Sequence, residues 1–273
     1  MNKRFSLFLA VPVVLALCAG GCLNISQAKF ERSVAASATM DAPKPVRIST
    51  GNGSVRVTRS QSDKLEIKAE SALQTAERRD AFSIKAEVVG DAFVIEPLWP
   101  EGKALSNERC SFEISLPAPA GLTIDTSNGA IEISGFSTDA TVETSNGRVT
   151  VNGHTGSLSM KSSNGAIEAK ELNGPVTAKT SNGRITIHFV EGATGPLTAK
   201  TSNGAIELDA PSTFAGVLTL STSNGRVTVE SSGGAKTDIK KTSGTVTFEP
   251  TGQASSLTTS NGGITVKHAG KPK

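Results

Sequence analysis

The 273-residue chain carries 28 Lys and Arg against 25 Asp and Glu, for a net charge of +3, with three Cys, three His, one Trp and no Tyr. A small net positive charge that is not concentrated in a basic cluster argues against a nucleic-acid-binding surface. The sequence also lacks a phosphate-binding glycine loop, a Cys/His metal spacing and a Gly-x-Ser-x-Gly nucleophile turn, so we expect no cofactor, no metal site and no catalytic residue. Trp99, the sole tryptophan, is expected to pack internally rather than to stack on a sugar.

The N-terminus has the pattern of an export signal. Lys3 and Arg4 precede an apolar run over 5–17, and a Cys-Ala-Gly-Gly-Cys segment follows, which predicts a signal peptide over 1–21. A small residue directly before Cys22 resembles a lipobox, so we expect Cys22 to be lipidated. Ordinary cleavage is the alternative, because Ala19 stands where a lipobox usually has Leu. The run is short for a retained membrane span.

The polar stretch 22–41 is predicted to be a tether, and 42–119 a β-rich N-terminal cap. The cap region alternates apolar and polar residues without a regular period, and its Gly-Asn-Gly turn at 51–53 is similar to a motif that recurs later. Cys110 lies in one of these alternating segments. We therefore expect it to be a small buried residue rather than a nucleophile.

From residue 120 to 268 the tetrapeptide Thr-Ser-Asn-Gly recurs. Its glycines, with Ser162 in place of Thr in the copy at Gly165 and one shortened copy at Gly244, are Gly129, Gly147, Gly165, Gly183, Gly204, Gly225, Gly244 and Gly262, at steps of 18, 18, 18, 21, 21, 19 and 18 residues. Short segments of alternating apolar residues, which are typical of half-buried strands, separate the copies. A fixed period of this length is the signature of a repeat architecture.

We predict an all-β parallel β-solenoid (β-helix) with about 18–21 residues per coil, preceded by the β-rich cap. Because Asn-Gly also favours hairpin turns, an antiparallel meander is the alternative; a meander, however, gives no reason for one turn sequence to recur. The basic tail 269–273 offers no cap of its own, so the C-terminal coil is expected to be the open end of the stack.

Stacking places the Asn of each copy in one column, about 4.8 Å apart, where each amide can bond the next. We predict a structural ladder that is interrupted at Gly244, which lacks the preceding Asn. Its members are Asn128, Asn146, Asn164, Asn182, Asn203, Asn224 and Asn261.

Two sets of charged residues are expected to face solvent. After the turns, Glu and Arg alternate from copy to copy, which predicts weak surface ion pairs, each worth under about 1 kcal/mol. Before the turns, a second column is expected to run through Asp125, Glu143, Lys161, Lys179 and Lys200, then Ser221 and Lys241. Lys161, Lys179 and Lys200 repel one another unless an anion or nearby glutamates lie along them, so we regard them as a possible ligand-binding stripe.

Several segments together resemble the bacterial putative-adhesin family. They are the "ISTGNGSVRV", "GDAFVI" and "FEISLP" segments, followed by "LTIDTSNGAIEI" and its copies, and the resemblance spans roughly 46–266. It implies a β-solenoid on exported or membrane-anchored proteins. It implies no catalytic residues, and its name raises the expectation of surface interactions.

We therefore expect a non-enzymatic protein of the bacterial cell envelope, exported and lipid-anchored at Cys22, that presents the solenoid as an adhesive surface. Its expected partners are an envelope polysaccharide or another envelope protein, with self-association possible and no nucleic acid. The alternative is a scaffold or stress-sensing module that acts through its open C-terminal coil. A carbohydrate-active β-helix enzyme is a third reading; it requires acids and bases gathered in one cleft.

Overall fold

In the computed structural model, which describes residues 30–40, 42–193, 195–232, 235–248 and 252–269, nearly all regular structure is β and lies in two sheets. Sheet 1 has twelve strands and contains β2 (Pro45–Thr50), β5 (Ser83–Val89), β6 (Ala92–Leu98), β8 (Gly121–Thr126), β10 (Ala140–Thr144), β12 (Leu158–Ser162), β14 (Val176–Lys179), β16 (Leu197–Lys200), β18 (Val217–Thr222), β20 (Lys236–Ile239), β21 (Ser243–Thr247) and β22 (Ser255–Thr259).

Sheet 2 has eleven strands and contains β1 (Phe30–Thr39), β3 (Val55–Arg59), β4 (Lys64–Leu73), β7 (Arg109–Leu116), β9 (Ile131–Phe136), β11 (Val149–His154), β13 (Ile167–Leu172), β15 (Ile185–Phe189), β17 (Ile206–Ala210), β19 (Val227–Ser231) and β23 (Ile264–His268). The described helical segments are α1 (Ala76–Ala81) and a 3-10 turn at Pro100–Gly102.

Each coil contributes one strand to each sheet, and a Thr-Ser-Asn-Gly turn joins the two strands. In the coil of β10 and β11, Ala140 and Val142 point inward from sheet 1, and Val149 and Val151 point inward from sheet 2. Neighbouring coils pair in parallel, for example Val142 with Met160 and Val149 with Ile167, and among the described strands the register shifts only between Ala169 and Leu172 in the pairing of β13 with β15. The alternating pattern therefore places one face of each strand in a core between the sheets. The predicted parallel β-solenoid is confirmed.

The parallel stack begins well before residue 120. Strand β2 pairs in parallel with β8, and β3 pairs in parallel with β9, so 45–59 is a full coil whose Gly-Asn-Gly turn at 51–53 replaces Thr-Ser-Asn-Gly. Beyond this coil, β7 continues sheet 2 in parallel with β3, and β4 and β1 follow it antiparallel; in sheet 1, β6 pairs in parallel with β2 and forms an antiparallel hairpin with β5. Residues 30–39 of the predicted tether form β1. The rest of the tether before residue 30, the signal segment, Cys22 and the tail beyond 269 lie outside the described residues.

A buried ion pair fastens the cap. The Arg78 guanidinium donates two parallel hydrogen bonds to Glu108, Nε to Oε1 at 2.7 Å and Nη2 to Oε2 at 2.8 Å. The backbone N–H groups of Gln74 and Leu105 also donate to this carboxylate, whose side chain is fully buried. The hydrogen bonds from Arg78 outweigh burial and lower the pKa of Glu108 to about 2. The pair joins α1 to the segment that precedes β7.

The last coil in sequence is not the last coil in space. Strand β22 lies between β16 and β18 in sheet 1, and β23 lies between β17 and β19 in sheet 2. The coil at 255–268 is therefore inserted between two coils that are consecutive along the chain. The antiparallel β20–β21 hairpin, which contains the shortened repeat at Gly244, covers β18 at this end of sheet 1. The expectation of an open C-terminal coil was therefore wrong.

Candidate functional site

The Thr and Gly of each repeat hold neighbouring coils together. Thr144 Oγ1 donates to the carbonyl of Gly129 in the preceding coil at 3.1 Å and accepts from the N–H of Gly147 at 3.1 Å. A Cβ added at Gly147 would lie 1.7 Å from that Gly129 carbonyl oxygen. Gly147 does not have a left-handed φ. Close contact between stacked coils, rather than the positive φ of a tight turn, is therefore the reason for glycine.

The Asn side chains form a continuous exposed ladder in which each Nδ2 donates to the Oδ1 of the Asn in the preceding coil. It begins at Asn52, which sequence reasoning missed as a member, and runs in spatial order through Asn128, Asn146, Asn164, Asn182, Asn203, Asn261 and Asn224, with N···O distances of 2.5–2.7 Å. Because the C-terminal coil is inserted, Asn261 bridges Asn203 and Asn224. The predicted interruption at Gly244 does not occur, since that segment has left the stack.

The alternating Glu and Arg side chains line the outer face of sheet 2. Arg184 Nη1 lies 3.0 Å from Glu207 Oε1 in the adjacent coil, and Arg56 Nε lies 2.9 Å from Glu132 Oε2. All four side chains are substantially exposed. These pairs therefore contribute little to stability, and they neutralise charge on this face.

Sheet 1 carries a column of charged side chains on its outer face, and part of this column has no counter-charge. We call Asp125, Glu143, Lys161, Lys179 and Lys200 the charged column; each residue is in register with the next on adjacent strands. Lys161 Nζ lies 3.4 Å from Glu143 Oε2. Lys179 and Lys200 are exposed and form no ion pair with any other residue that the structure describes. The next residue in the column is Thr258, not Ser221, because β22 is inserted beside β16.

A groove of about 530 Å³ lies at the acidic end of this column. Its floor includes Asp125, Glu143 and Lys161, and its wall at the cap includes Glu96 and Trp99. Partial burial, and then the neighbouring Glu143 carboxylate, raise the pKa of Asp125, while Lys161 lowers it. Two carboxylates that are adjacent in register thus share a single close lysine. Glu96 is balanced separately by Lys85, at 3.2 Å.

Trp99 combines a packing role with a place at this groove. Its ring packs against Phe82 with the centroids 5.2 Å apart, and it is partly buried against the core. Packing inside the cap was predicted from sequence. Its place in the groove wall was not predicted, because the 3-10 turn that follows β6 sets this position and lies outside the periodic repeats.

The remaining reactive side chains lie away from the column. Cys110 is fully buried in β7, and burial raises the pKa of its thiol to about 12, so it is not a nucleophile at neutral pH. His154 is buried in β11, and burial lowers the pKa of its imidazole although the backbone of Ser157 and Thr138 acts in the opposite direction. Within the part of the chain that the structure describes, no group of three or more His, Cys, Asp and Glu could hold a metal ion. Among the same residues, no helix has the length and hydrophobicity needed to cross a bilayer.

The two sheets and their parallel coils define the class of the protein: a two-sheet parallel β-solenoid with an N-terminal β cap. Residues 54–249 match the model of the Toastrack DUF4097 family, so the chain belongs to that family. This match confirms the resemblance to the putative-adhesin family that the repeats indicated.

The chain is also similar to solved structures from three bacteria. A putative adhesin from Bacteroides fragilis is 14% identical, with a TM-score of 0.44, over 87% of this chain and 97% of that chain. One from Parabacteroides distasonis is 11% identical, with a TM-score of 0.40, over 87% and 97%. A putative cell adhesion protein from Clostridium sporogenes is 12% identical, with a TM-score of 0.32, over 88% and 100%. A comparison with curated proteins gave no significant match.

Proposed function

We propose that the protein is a non-enzymatic component of the bacterial cell envelope that uses its rigid solenoid as an adhesive surface. The observation that carries this proposal is the charged column. Its lysines stand in register on a regular sheet face, and Lys179 and Lys200 have no counter-charge among the described residues. Three cations spaced about 4.8 Å apart attract an extended anionic partner, and a rigid sheet fixes them without loss of backbone entropy on binding.

The side chains of the column follow the repeat from strand to strand, as they do in a surface built for extended contact. Columns of small hydroxyl residues flank it, such as Thr141, Ser159 and Thr177, which pair in register on β10, β12 and β14. Short side chains beside a row of long charged ones leave the charged groups accessible. This geometry favours binding of a polymer or a flat protein surface over enclosure of a small substrate.

The first test measures binding of the purified protein to an immobilised anionic glycan. We expect Lys161, Lys179 and Lys200→Ala together to weaken binding at least about tenfold, and more strongly at low salt, because the lysines act electrostatically. The matched control replaces Lys68, Lys170 and Lys267, which are exposed on strands of sheet 2, by Ala. Equal binding by both triple variants would show that the lysines of the column do not bind the glycan.

The second test concerns anchoring, which the proposal assigns to a lipid on Cys22. The basic, apolar and Gly-Cys pattern of 3–22 supports this assignment. We expect Cys22→Ser to move the protein from the membrane fraction to the soluble fraction of an envelope preparation. Cys18→Ser is the control, since that residue lies within the predicted signal and should be removed with it. Retention of the Cys22→Ser variant in membranes would refute lipid anchoring.

A further inference from the structure

We propose that the outer face of sheet 1 pairs with the same face of a second copy of this chain, with the two stacks antiparallel. The inference rests on the proposed adhesive role of this face and names the partner. What carries it is the order of charge along the column: two carboxylates, Asp125 and Glu143, followed by three lysines.

This order is self-complementary under a two-fold axis that runs parallel to the strands between β10 and β12. The axis keeps each column opposite itself and reverses its direction. Glu143 then faces Lys161 of the second copy, and Asp125 faces Lys179 of the second copy. Ser49, which precedes Asp125 in register, faces Lys200 of the second copy. No position opposes a like charge, and each pairing occurs twice because the contact is isologous.

The position of this axis suits the sheet. Five strands lie on its N-terminal side (β10, β8, β2, β6 and β5) and seven on the other, so ten of the twelve strands can overlap. With strands of about five residues, the overlap measures roughly 17 Å by 43 Å, on the order of 700 Å² from each copy. That approaches the ~800 Å² per partner of a standard protein interface. The flanking Ser and Thr side chains are short enough for two such faces to approach.

The same order of charge makes an anionic polymer a poorer occupant along the stack axis. A polymer that follows the lysines toward the cap meets Asp125 and Glu143, whose carboxylates repel it. A second copy uses both ends of the column. Reversal of the acidic residues therefore distinguishes the two candidate partners. We expect Asp125→Lys with Glu143→Lys to strengthen binding to an anionic glycan and to weaken self-pairing.

Sedimentation equilibrium of the purified chain over a range of concentrations tests the proposal through charge exchange. We expect a reversible dimer in the parent that dissociates as salt is raised, because these charges are exposed. Asp125→Lys or Lys179→Asp alone should raise the dimer dissociation constant at least about tenfold, since each substitution acts at two symmetric contacts. Lys170→Asp, outside the column, should leave it unchanged.

Complementary reversal should restore pairing. An equimolar mixture of the Asp125→Lys and Lys179→Asp chains, and the single chain that carries both, should each dimerise within about threefold of the parent. Circular dichroism melting checks that every variant is folded. A parent that stays monomeric to millimolar concentration, single reversals without effect, or failure of both restorations would each overturn the proposal. Loss of glycan binding in the triple lysine variant alongside a monomeric parent would leave the adhesive role standing without self-pairing.

Discussion

The inserted C-terminal coil makes a prediction that cysteine pairs can test. Thr198, Ser256 and Thr219 lie in register on the outer faces of β16, β22 and β18. Neighbouring strands lie about 4.8 Å apart, so Thr198 and Thr219 are about 9.6 Å apart. Disulfides require Cα atoms within about 7 Å. Thr198→Cys with Ser256→Cys should therefore form a disulfide, as should Ser256→Cys with Thr219→Cys, whereas Thr198→Cys with Thr219→Cys should stay reduced.

The first of these bonds closes a loop of about 60 residues, so chain entropy alone predicts up to about 4 kcal/mol of added stability. Mapping of disulfide-linked peptides under non-reducing conditions reads out the bonds, and denaturant unfolding reads out the stabilisation. The one described native cysteine, Cys110, is fully buried and does not compete. Rapid oxidation of the Thr198–Thr219 cysteine pair, with the Thr198–Ser256 pair left reduced, would show that the coils stack in sequence order and would refute the insertion.

Three further substitutions, with one control, probe the cap, the core and the turns. Glu108→Gln breaks the buried pair with Arg78 and should lower the free energy of unfolding in urea by about 3 kcal/mol. The pKa of Glu108 is depressed from 4.5 to about 2, so the parent should lose this stabilisation as pH falls between those values. The stability of the variant should not change with pH in this way. Burial lowers the pKa of His154 below 6.5, so His154→Leu should lose less stability than the parent as pH falls below 6.5. Equal pH dependence of the two chains in urea unfolding would contradict this. Gly165→Ala places a Cβ 1.7 Å from the Gly147 carbonyl oxygen and should lower the free energy of unfolding by at least about 2 kcal/mol. Gly51→Ala, with open space around the added Cβ, should be nearly neutral in the same urea unfolding assay.

The coils could be predicted from the sequence because each repeat contains the residue pattern of its own two strands and turn. Alternation fixes which residues of β10 and β11 are buried, and the recurring Asn predicts the ladder from Asn128 to Asn203. The stacking of Asn128 on Asn52 was harder to foresee. Its turn, Thr50-Gly51-Asn52-Gly53, keeps the Thr and the Asn but has Gly in place of Ser, and it stands apart from the regular repeats, so the first coil was assigned to the cap.

The order of the last coils could not be predicted from the repeats, for a physical reason. Asn224 and Asn261 carry the same side chain at the same point of a coil, and either one can donate to or accept from Asn203 equally well. The local interactions are therefore degenerate with respect to which coil follows which. The choice depends on the connecting segments and on the β20–β21 hairpin, where Gly244 interrupts the repeat. That interruption was visible in the sequence and was wrongly interpreted as a gap in the ladder.

One part of the candidate site, the charged column, could be predicted from the repeats, and the groove beside it could not. Its lysines were identified from spacing alone, since residues at one offset in each repeat must share a column. The groove beside Asp125 required the structure, because Glu96 and Trp99 come from the aperiodic cap. Their position depends on how the β5–β6 hairpin continues sheet 1.

Adhesion of cells that display the protein tests the central claim, that the outer face of sheet 1 is the interaction surface. Cells that display the parent are compared with cells that display Lys161, Lys179 and Lys200→Glu, at equal surface levels, and with cells that display the control Lys68, Lys170 and Lys267→Glu. We predict at least a tenfold loss of adhesion for the column variant and parental adhesion for the control. Equal adhesion by the two triple variants would contradict the claim.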